Sequence, residues 1–187
     1  MTARPPPGQP PARAGLVAPL TPARLLVLGL LLTALVAGAA MWWLQTRAFY
    51  REVSADAVLL ARPGGAAEAV PAEGFRGIDS DSSPIRFRAC ATLPPQDPVA
   101  LLPYPFPRPL VAPGWFDCFD ARAIGEALER GEARAVLSEA GVVRGVDRVA
   151  ALFPDGRVFL WTQLDPCGPL AEESDRPRAC PPSESPP

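Results

Sequence analysis

The sequence predicts an α+β protein, in which an N-terminal transmembrane helix is followed by a small antiparallel-sheet domain packed on one helix. Three stretches carry this prediction. Residues 25–44 contain 20 residues with no charge and one polar side chain, Thr33, enough for about 30 Å of helix. Residues 121–130 show apolar residues at helical spacing, and residues 146–164 alternate as a β-hairpin.

The composition divides the chain into four predicted segments. They are a disordered Pro-rich cytoplasmic tail over 1–24, a transmembrane helix over 25–44, an exported α+β domain over 45–170 and a disordered tail over 171–187. The first segment holds seven prolines, which block regular backbone hydrogen bonding. The last is polar and Pro-rich, as many chain ends are.

The apolar stretch has a second reading as a cleavable signal peptide, with Ala37-Gly38-Ala39 as the small-residue cleavage site. Its apolar character continues, however, through Trp42 and Trp43. Tryptophans at that position are typical of the aromatic belt at a membrane interface. We therefore expect a retained anchor, and either reading exports the domain.

The charges predict the orientation of the chain. Residues 1–24 carry three arginines and no acid, whereas all 20 acidic residues lie at or after Glu52. By the positive-inside rule, the sequence predicts a single-pass inner-membrane protein with a cytoplasmic N-terminus and a periplasmic C-terminal domain. An acidic domain argues against a nucleic-acid partner, so the expected partners are membrane lipid and another envelope or membrane protein.

Missing residue types exclude several chemistries. The chain has no His, no Lys and no Asn, and all 18 of its basic residues are Arg. Without His there is no imidazole general base and no Ser-His-Asp triad. Without Lys there is no Schiff-base lysine and no P-loop. We expect no cofactor.

The domain pattern predicts the remaining elements. Asp120 is a suitable N-cap for the helix over 121–130, and Gly131 a suitable stop. Apart from the hairpin of 146–153 and 157–164, we expect a helical extension over 45–52, strands near 57–61, 85–89 and 133–137, a short element near 75–78 and a turn at 140–141.

Eight prolines between residues 94 and 113 predict a long extended loop. An aromatic segment follows it. We predict an interaction surface here, because contiguous apolar patches mark such sites. Its candidate residues are Tyr104, Phe106, Trp115 and Phe116.

Four cysteines in an exported domain predict disulfides. The candidates within the domain are Cys90, Cys118 and Cys167. Cys90 pairs with either Cys118 or Cys167, which leaves one domain cysteine free or joined to Cys180. The spacings give no metal-ligand knuckle, so we expect no metal.

Two acidic motifs have competing interpretations. Cys118 with Asp117 and Asp120 could form a thiol and acid site, but Asp120 also suits a helix cap and Asp117 an arginine partner or turn former. The stretch 79–83 resembles the start of a calcium loop, but Pro84 and Cys90 stand where that loop needs Gly and Glu. A turn is the favoured interpretation there.

Three stretches carry a family resemblance: SSPIRFRAC at 82–90, APGWFDCFDARAIGEALERGEA at 112–133 and GVDRVAALFPDGRVFLWTQLDPCG at 145–168. Over roughly residues 25–168 the chain resembles a family of uncharacterised bacterial single-pass membrane proteins. The resemblance implies a short N-terminus, one span and an exported α+β domain, and it implies no catalytic residue. Some members carry a histidine-kinase label, which a chain without His or an ATP-binding motif does not support.

These observations predict a non-enzymatic interaction or accessory module of the envelope that faces the periplasm. One alternative is a periplasmic thiol- or carboxylate-based sensor or enzyme, which needs a free thiol at Cys118. Another is a purely structural anchor within a larger membrane complex.

Overall fold

The structure, a computed structural model, describes residues 21–64, 67–172, 174 and 176–180. The chain forms two compact units, Met1–Trp43 and Leu44–Pro187. The tail predicted over 1–24 therefore lies almost wholly outside the described residues, as does the end of the tail predicted over 171–187.

The apolar stretch is a helix, α1, which runs from Pro22 to Trp43. A π-helical turn, Leu44–Ala48, follows it. Together they form one helix that is long and apolar enough to cross a membrane, and an 18-residue window within it has a mean hydropathy of 2.3. The helical extension predicted over 45–52 ends early, because Arg51–Val53 pairs with another strand instead.

Among its described residues, the second unit contains eight antiparallel strands and one α-helix. Their bounds are β1 Arg51–Val53, β2 Ala57–Leu60, β3 Glu68–Pro71, β4 Glu73–Asp79, β5 Arg88–Thr92, α2 Ala121–Glu129, β6 Arg134–Val143, β7 Val146–Leu152 and β8 Arg157–Leu164. Six strands form one sheet in the order β1-β4-β5-β8-β7-β6, and β2 pairs with β3 in a separate hairpin. The predicted α+β class is confirmed.

The six-stranded sheet separates two apolar clusters. On one face Val158 and Leu160 of β8 pack with Val58 and Leu60 of the β2–β3 hairpin. On the other face Trp161 of β8 packs with aromatic residues and with the buried side of α2. Both faces of β8 are thus buried, and the domain has three layers.

Helix α2 begins where the sequence predicts and ends one residue before the predicted end, at Glu129. Asp120 accepts hydrogen bonds from the amides of Arg122 and Ala123, at 3.0 and 3.1 Å. Gly131 has a φ of +71°, the left-handed conformation that glycine adopts without strain. Ile124 and Ala127 are the buried side of the helix.

Two strand predictions are corrected in position. Pro84–Arg86 is a 3-10 turn and the strand begins at Arg88, because proline favours the first position of a helical turn and donates no ladder hydrogen bond. Strand β6 continues through the turn predicted at 140–141, where Gly141 (φ +59°) lies in a region of shifted register. The chain reverses instead at Arg144-Gly145.

The long loop over 94–113 contains one short 3-10 helix, Pro98–Ala100, and is otherwise extended or irregular. Part of it lies along the outer edge of β6. Leu102 accepts a hydrogen bond from the Leu137 amide at 2.8 Å, and the Tyr104 amide donates to Ala135 at 3.0 Å. The loop thus covers a strand edge that would otherwise be open.

Candidate functional site

An aromatic and arginine cluster lies where the chain enters the second unit. The indole Nε1 of Trp115 donates a hydrogen bond to the Thr46 carbonyl at 2.6 Å, and Tyr50 meets the same ring edge to face at 5.9 Å. The Arg47 guanidinium lies 4.9 Å from the centre of that ring. We call this group the entry cluster; its members are Arg47, Tyr50, Arg86, Trp115 and Phe116.

Further contacts extend the entry cluster in both directions. Arg86 lies 5.5 Å from the ring centre of Tyr50, and Arg76 lies 5.8 Å from that of Phe116. Phe116 itself packs against Trp115. Stacking of arginines on aromatic rings adds specific attraction to apolar burial, so the residues just after α1 are held firmly in the domain.

The predicted interaction residues separate into two groups. Tyr104 and Phe116 are buried, with exposed fractions of 9% and 5%, so these two are corrected from surface residues to core residues. Phe106 and Trp115 are half-buried. An irregular loop has no alternation that would show which aromatic side chains turn inward. The partner of this surface stays a prediction.

All four cysteines are at disulfide distance in pairs, Cys90 with Cys118 and Cys167 with Cys180. The first pair joins β5 to the loop that carries Trp115. The second holds the described residues of the C-terminal segment, where Arg176 also donates to the Cys167 carbonyl at 2.9 Å. The sequence left two partners open for Cys90, and the structure pairs it with Cys118. The remaining domain cysteine, Cys167, pairs with Cys180.

The proposed thiol and acid site has each of its three groups engaged. Cys118 is bonded to Cys90, and Asp120 caps α2. Asp117 is exposed and bound to Arg76 at 2.8 Å, and this hydrogen bond lowers the pKa of its carboxyl group. Such a carboxylate stays ionised at neutral pH, which is the opposite of what a general acid requires.

The two carboxylates of the turn at 79–81 are also paired, with an arginine of β1. Asp79 and Asp81 both lie within 3.3 Å of the Arg51 guanidinium. Among the residues that the structure describes, no group of three or more His, Cys, Asp or Glu side chains could hold a metal ion.

A buried polar network lies beside the aromatic core. The Gln163 side-chain carbonyl accepts hydrogen bonds from the Trp161 indole at 2.9 Å and the Arg108 amide at 2.7 Å. Its amide donates to the Phe106 carbonyl at 3.0 Å. Gln163 follows Trp161 by two residues in β8, so both side chains lie on one face of the strand. That spacing was the available signal for a buried polar group.

Tyr104 belongs to the same network. Its hydroxyl donates to Asp147 at 3.2 Å, and the Gln163 amide approaches it at 3.5 Å. Burial, followed by the neighbouring Asp147 carboxylate, raises the pKa of the Tyr104 phenol above its usual range. The phenol therefore stays protonated and acts as a hydrogen-bond donor.

Arg88 is a second buried polar residue, and the sequence pattern placed it in a half-buried strand. It is only 4% exposed. Its guanidinium donates to the carbonyls of Leu110, Ile85 and Phe87 at 2.6, 2.9 and 2.6 Å. Burial lowers its pKa to about 10, so it stays charged at neutral pH and fastens the loop at Leu110 to β5.

A groove lies at the end of the sheet that carries the β7–β8 turn, opposite the end at which the chain enters. Its volume is about 360 Å³, and its walls include Leu93, Pro95, Leu152, Phe153 and Gly156. No predicted site residue lines it, and its apolar walls could take a ligand or a partner side chain.

The fold and these contacts define a class: a small α+β domain with two disulfides and an internally paired polar network, preceded by one apolar helix. The chain belongs to a family of unknown function, DUF6446, which it matches over residues 57–181. No curated protein and no solved structure matches the chain. The match begins at β2 and extends past Cys180, so it includes both disulfides and leaves out α1, whereas the resemblance drawn from the sequence ran from 25 to 168.

Proposed function

We propose that this protein is a membrane-anchored accessory module of the cell envelope that acts by binding rather than by catalysis. In this proposal α1 spans the inner membrane with its N-terminus in the cytoplasm, and the disulfide-bonded domain faces the periplasm. The observation that carries the proposal is the pairing of all four cysteines in a domain that follows one apolar helix. Disulfides persist in oxidising compartments, and the periplasm is one of them.

The charge distribution supports the orientation. Residues 1–24 contain three arginines and no acid, while every acidic residue of the chain lies beyond α1. Cytoplasmic flanks of spans carry such an excess of positive charge.

The binding role is supported by how the reactive side chains are used. Cys118 is bonded to Cys90, Asp117 binds Arg76 and Asp120 caps α2. A thiol-based sensor or enzyme would first need the Cys90–Cys118 bond to be reduced. If Cys118 carried such an activity, Cys118→Ser would abolish it, whereas an accessory module with a stable fold would keep its partner.

Thiol labelling of intact spheroplasts tests this proposal. We expect a membrane-impermeant maleimide to label the protein only after a reductant is added, since export and pairing are both required for that result. Labelling only after lysis would place the domain in the cytoplasm, and labelling without reductant would show a free thiol; both outcomes contradict the proposal. The variant with all four cysteines changed to Ser is the matched control for background.

A further inference from the structure

The strand register brings many chain segments to the end of the sheet at which the chain enters. Residue pairs run across the sheet there: Arg51 with Asp79, Ile78 with Arg88, Arg88 with Trp161, Leu164 with Val146, and Val146 with Val143. Arg47 and Tyr50 of the entry cluster come just before Arg51, so this part of the cluster lies at the same end. We call this surface the entry end; it comprises residues 47–51, 79–88, 108–111, 143–147 and 163–172.

Exposed apolar side chains concentrate at the entry end. Five large ones are 45% to 82% exposed: Phe49, Val111, Val143, Leu164 and Leu170. Two of them have contacts that hold them in place: the Val111 carbonyl accepts from Arg88 at 3.4 Å, and the Leu170 side chain occupies the space beside Gly145. At the opposite end, the β7–β8 turn presents Pro154 and Asp155. Exposed apolar side chains grouped in this way mark a contact surface.

The short connection between α1 and the domain restricts which surfaces the entry end can contact. Thr46 is hydrogen-bonded to Trp115 within the domain, and it follows the last residue of α1, Trp43, by three positions. Three extended residues span at most about 11 Å. If α1 crosses a bilayer, the entry end is tethered next to the lipid surface at a high effective concentration.

The charges at the entry end suit a lipid surface better than those of the remaining domain. Its exposed or half-buried arginines are Arg47, Arg51, Arg86, Arg108 and Arg144, and its acids are Asp79, Asp81, Asp147, Asp165 and Glu172. These balance, whereas acids outnumber arginines in the remaining part of the domain. Anionic headgroups therefore repel this end less than the remaining domain. The exposed Arg108 and Arg144 can reach phosphates while aliphatic side chains lie deeper.

We infer that the entry end rests on the outer lipid surface of the membrane, with Phe49, Val111, Val143, Leu164 and Leu170 inserted to headgroup depth. The inference depends on the proposed membrane anchoring and adds to it a docking surface for phospholipid. Docking would hold the opposite end of the sheet, with its groove, pointing away from the bilayer.

Photo-cross-linking to lipid tests the inference on the full chain. One copy per nanodisc is reconstituted with a phospholipid that carries a diazirine near its headgroup, and cross-linked peptides are identified by mass spectrometry. We expect cross-links in α1 and at the entry end, and none at 154–156. The variant V143S/L164S/L170S should lose entry-end cross-links about tenfold, while the control L59S/V99S, which changes exposed apolar residues elsewhere, should keep them.

The outcomes separate the two proposals. Cross-links in α1 without any at the entry end overturn the docking inference alone, and would fit a protein partner or a second copy on that surface. Cross-links spread equally over both ends of the sheet also overturn it. Absence of cross-links in α1 overturns the membrane anchor itself.

Discussion

At the scale of single residues, Gln163 takes part in four hydrogen bonds. Three of them connect the loop of 104–108 to the central sheet. It is 3% exposed and its neighbour in the network, Trp161, is fully buried. A buried donor or acceptor that loses its partner pays the desolvation cost without compensation. Loss of this network would therefore lower the stability of the domain mainly because buried donors and acceptors would be left unpaired.

The first prediction concerns Gln163→Ala. This change leaves the Trp161 indole and the Arg108 amide without an acceptor, so we expect the free energy of unfolding to fall by about 3 kcal/mol. Urea unfolding followed by tryptophan fluorescence measures it. The control, Gln96→Ala, removes an exposed hydrogen bond to Pro94 and should cost less than about 0.5 kcal/mol; equal losses would contradict the role assigned to Gln163.

The second prediction concerns the ionisation of Tyr104. The chain has two tyrosines, so in Tyr50→Phe the tyrosinate absorbance reports Tyr104 alone. Burial and Asp147 raise its pKa, and we expect no ionisation of the native phenol at pH 10–11. Addition of denaturant at that pH should produce the tyrosinate band, because the unfolded phenol has a pKa of about 10.

The sign of the accompanying stability change follows from proton binding. Above about pH 10 the unfolded chain loses the Tyr104 proton while the folded domain keeps it, so this residue makes stability fall as pH rises, by up to about 1.4 kcal/mol per pH unit. Tyr104→Phe should remove that component. A native ionisation near pH 10 would show that the phenol is not held as described.

Single residues also show what the sequence does not indicate. Arg88 directly follows Phe87, so strand alternation places the two side chains on different faces of the sheet. Its near-complete burial depends on the backbone carbonyls of Leu110 and Ile85, which come from a loop and a short turn. No local sequence pattern indicates that the Leu110 carbonyl, 22 residues away, will accept a hydrogen bond from Arg88.

At the scale of elements, α2 is the layer that covers the aromatic face of the sheet. It has nine residues, too few for stability in isolation. Its N-cap and its buried residues, Ile124 and Ala127, therefore decide whether it forms. The cap and the apolar stripe are both local signals, which is why the sequence predicted this helix well.

The third prediction concerns Asp120→Ala. The change leaves the amides of Arg122 and Ala123 without their acceptor, and we expect a loss of about 1 kcal/mol in the free energy of unfolding. Chemical denaturation measures the shift. Asp117→Ala is the matched control, since it removes an exposed ion pair with Arg76 and should leave the midpoint unchanged. A larger effect at Asp117 than at Asp120 would contradict the capping role.

The strands show the same division between local and distant information. The β7–β8 hairpin was predicted because alternation extends over both strands and a Pro-Asp-Gly turn joins them. Strands β1 and β3 were not, because neither contains a run of apolar residues and each pairs with a neighbouring strand that its own sequence does not indicate. The entry cluster was missed for the same reason: nothing near Thr46 in sequence indicates that Trp115 will reach it.

At the scale of the whole molecule, the two disulfides constrain different parts of the chain. Cys90–Cys118 closes a separation of 28 residues and joins the sheet to the loop of the entry cluster. Cys167–Cys180 closes 13 residues at the C-terminal segment. The sequence could predict that pairs would form, but two connectivities for Cys90 remained open because spacing alone does not fix spatial approach.

The fourth prediction compares these two bonds. Loop-closure entropy gives about 3.6 kcal/mol for the longer loop and about 2.9 kcal/mol for the shorter one. We expect C90S/C118S to lower the unfolding temperature more than C167S/C180S, and to speed hydrogen exchange at residues 46–50. Calorimetry and exchange mass spectrometry of the two variants provide the measurement. Faster exchange at 46–50 in C167S/C180S alone would contradict the link between Cys118 and the entry cluster.

The position of β8 in the sheet has a consequence for how the protein is made. This strand lies between β5 and β7, so it joins the two halves of the sheet, yet it is the last of the described strands to be synthesised. Because chains emerge N-terminus first, β5 has no partner on that side until residues 157–164 have left the ribosome. An exported chain would therefore cross the membrane unfolded and close its sheet only when translocation is nearly complete, with envelope chaperones and proteases able to reach it until then.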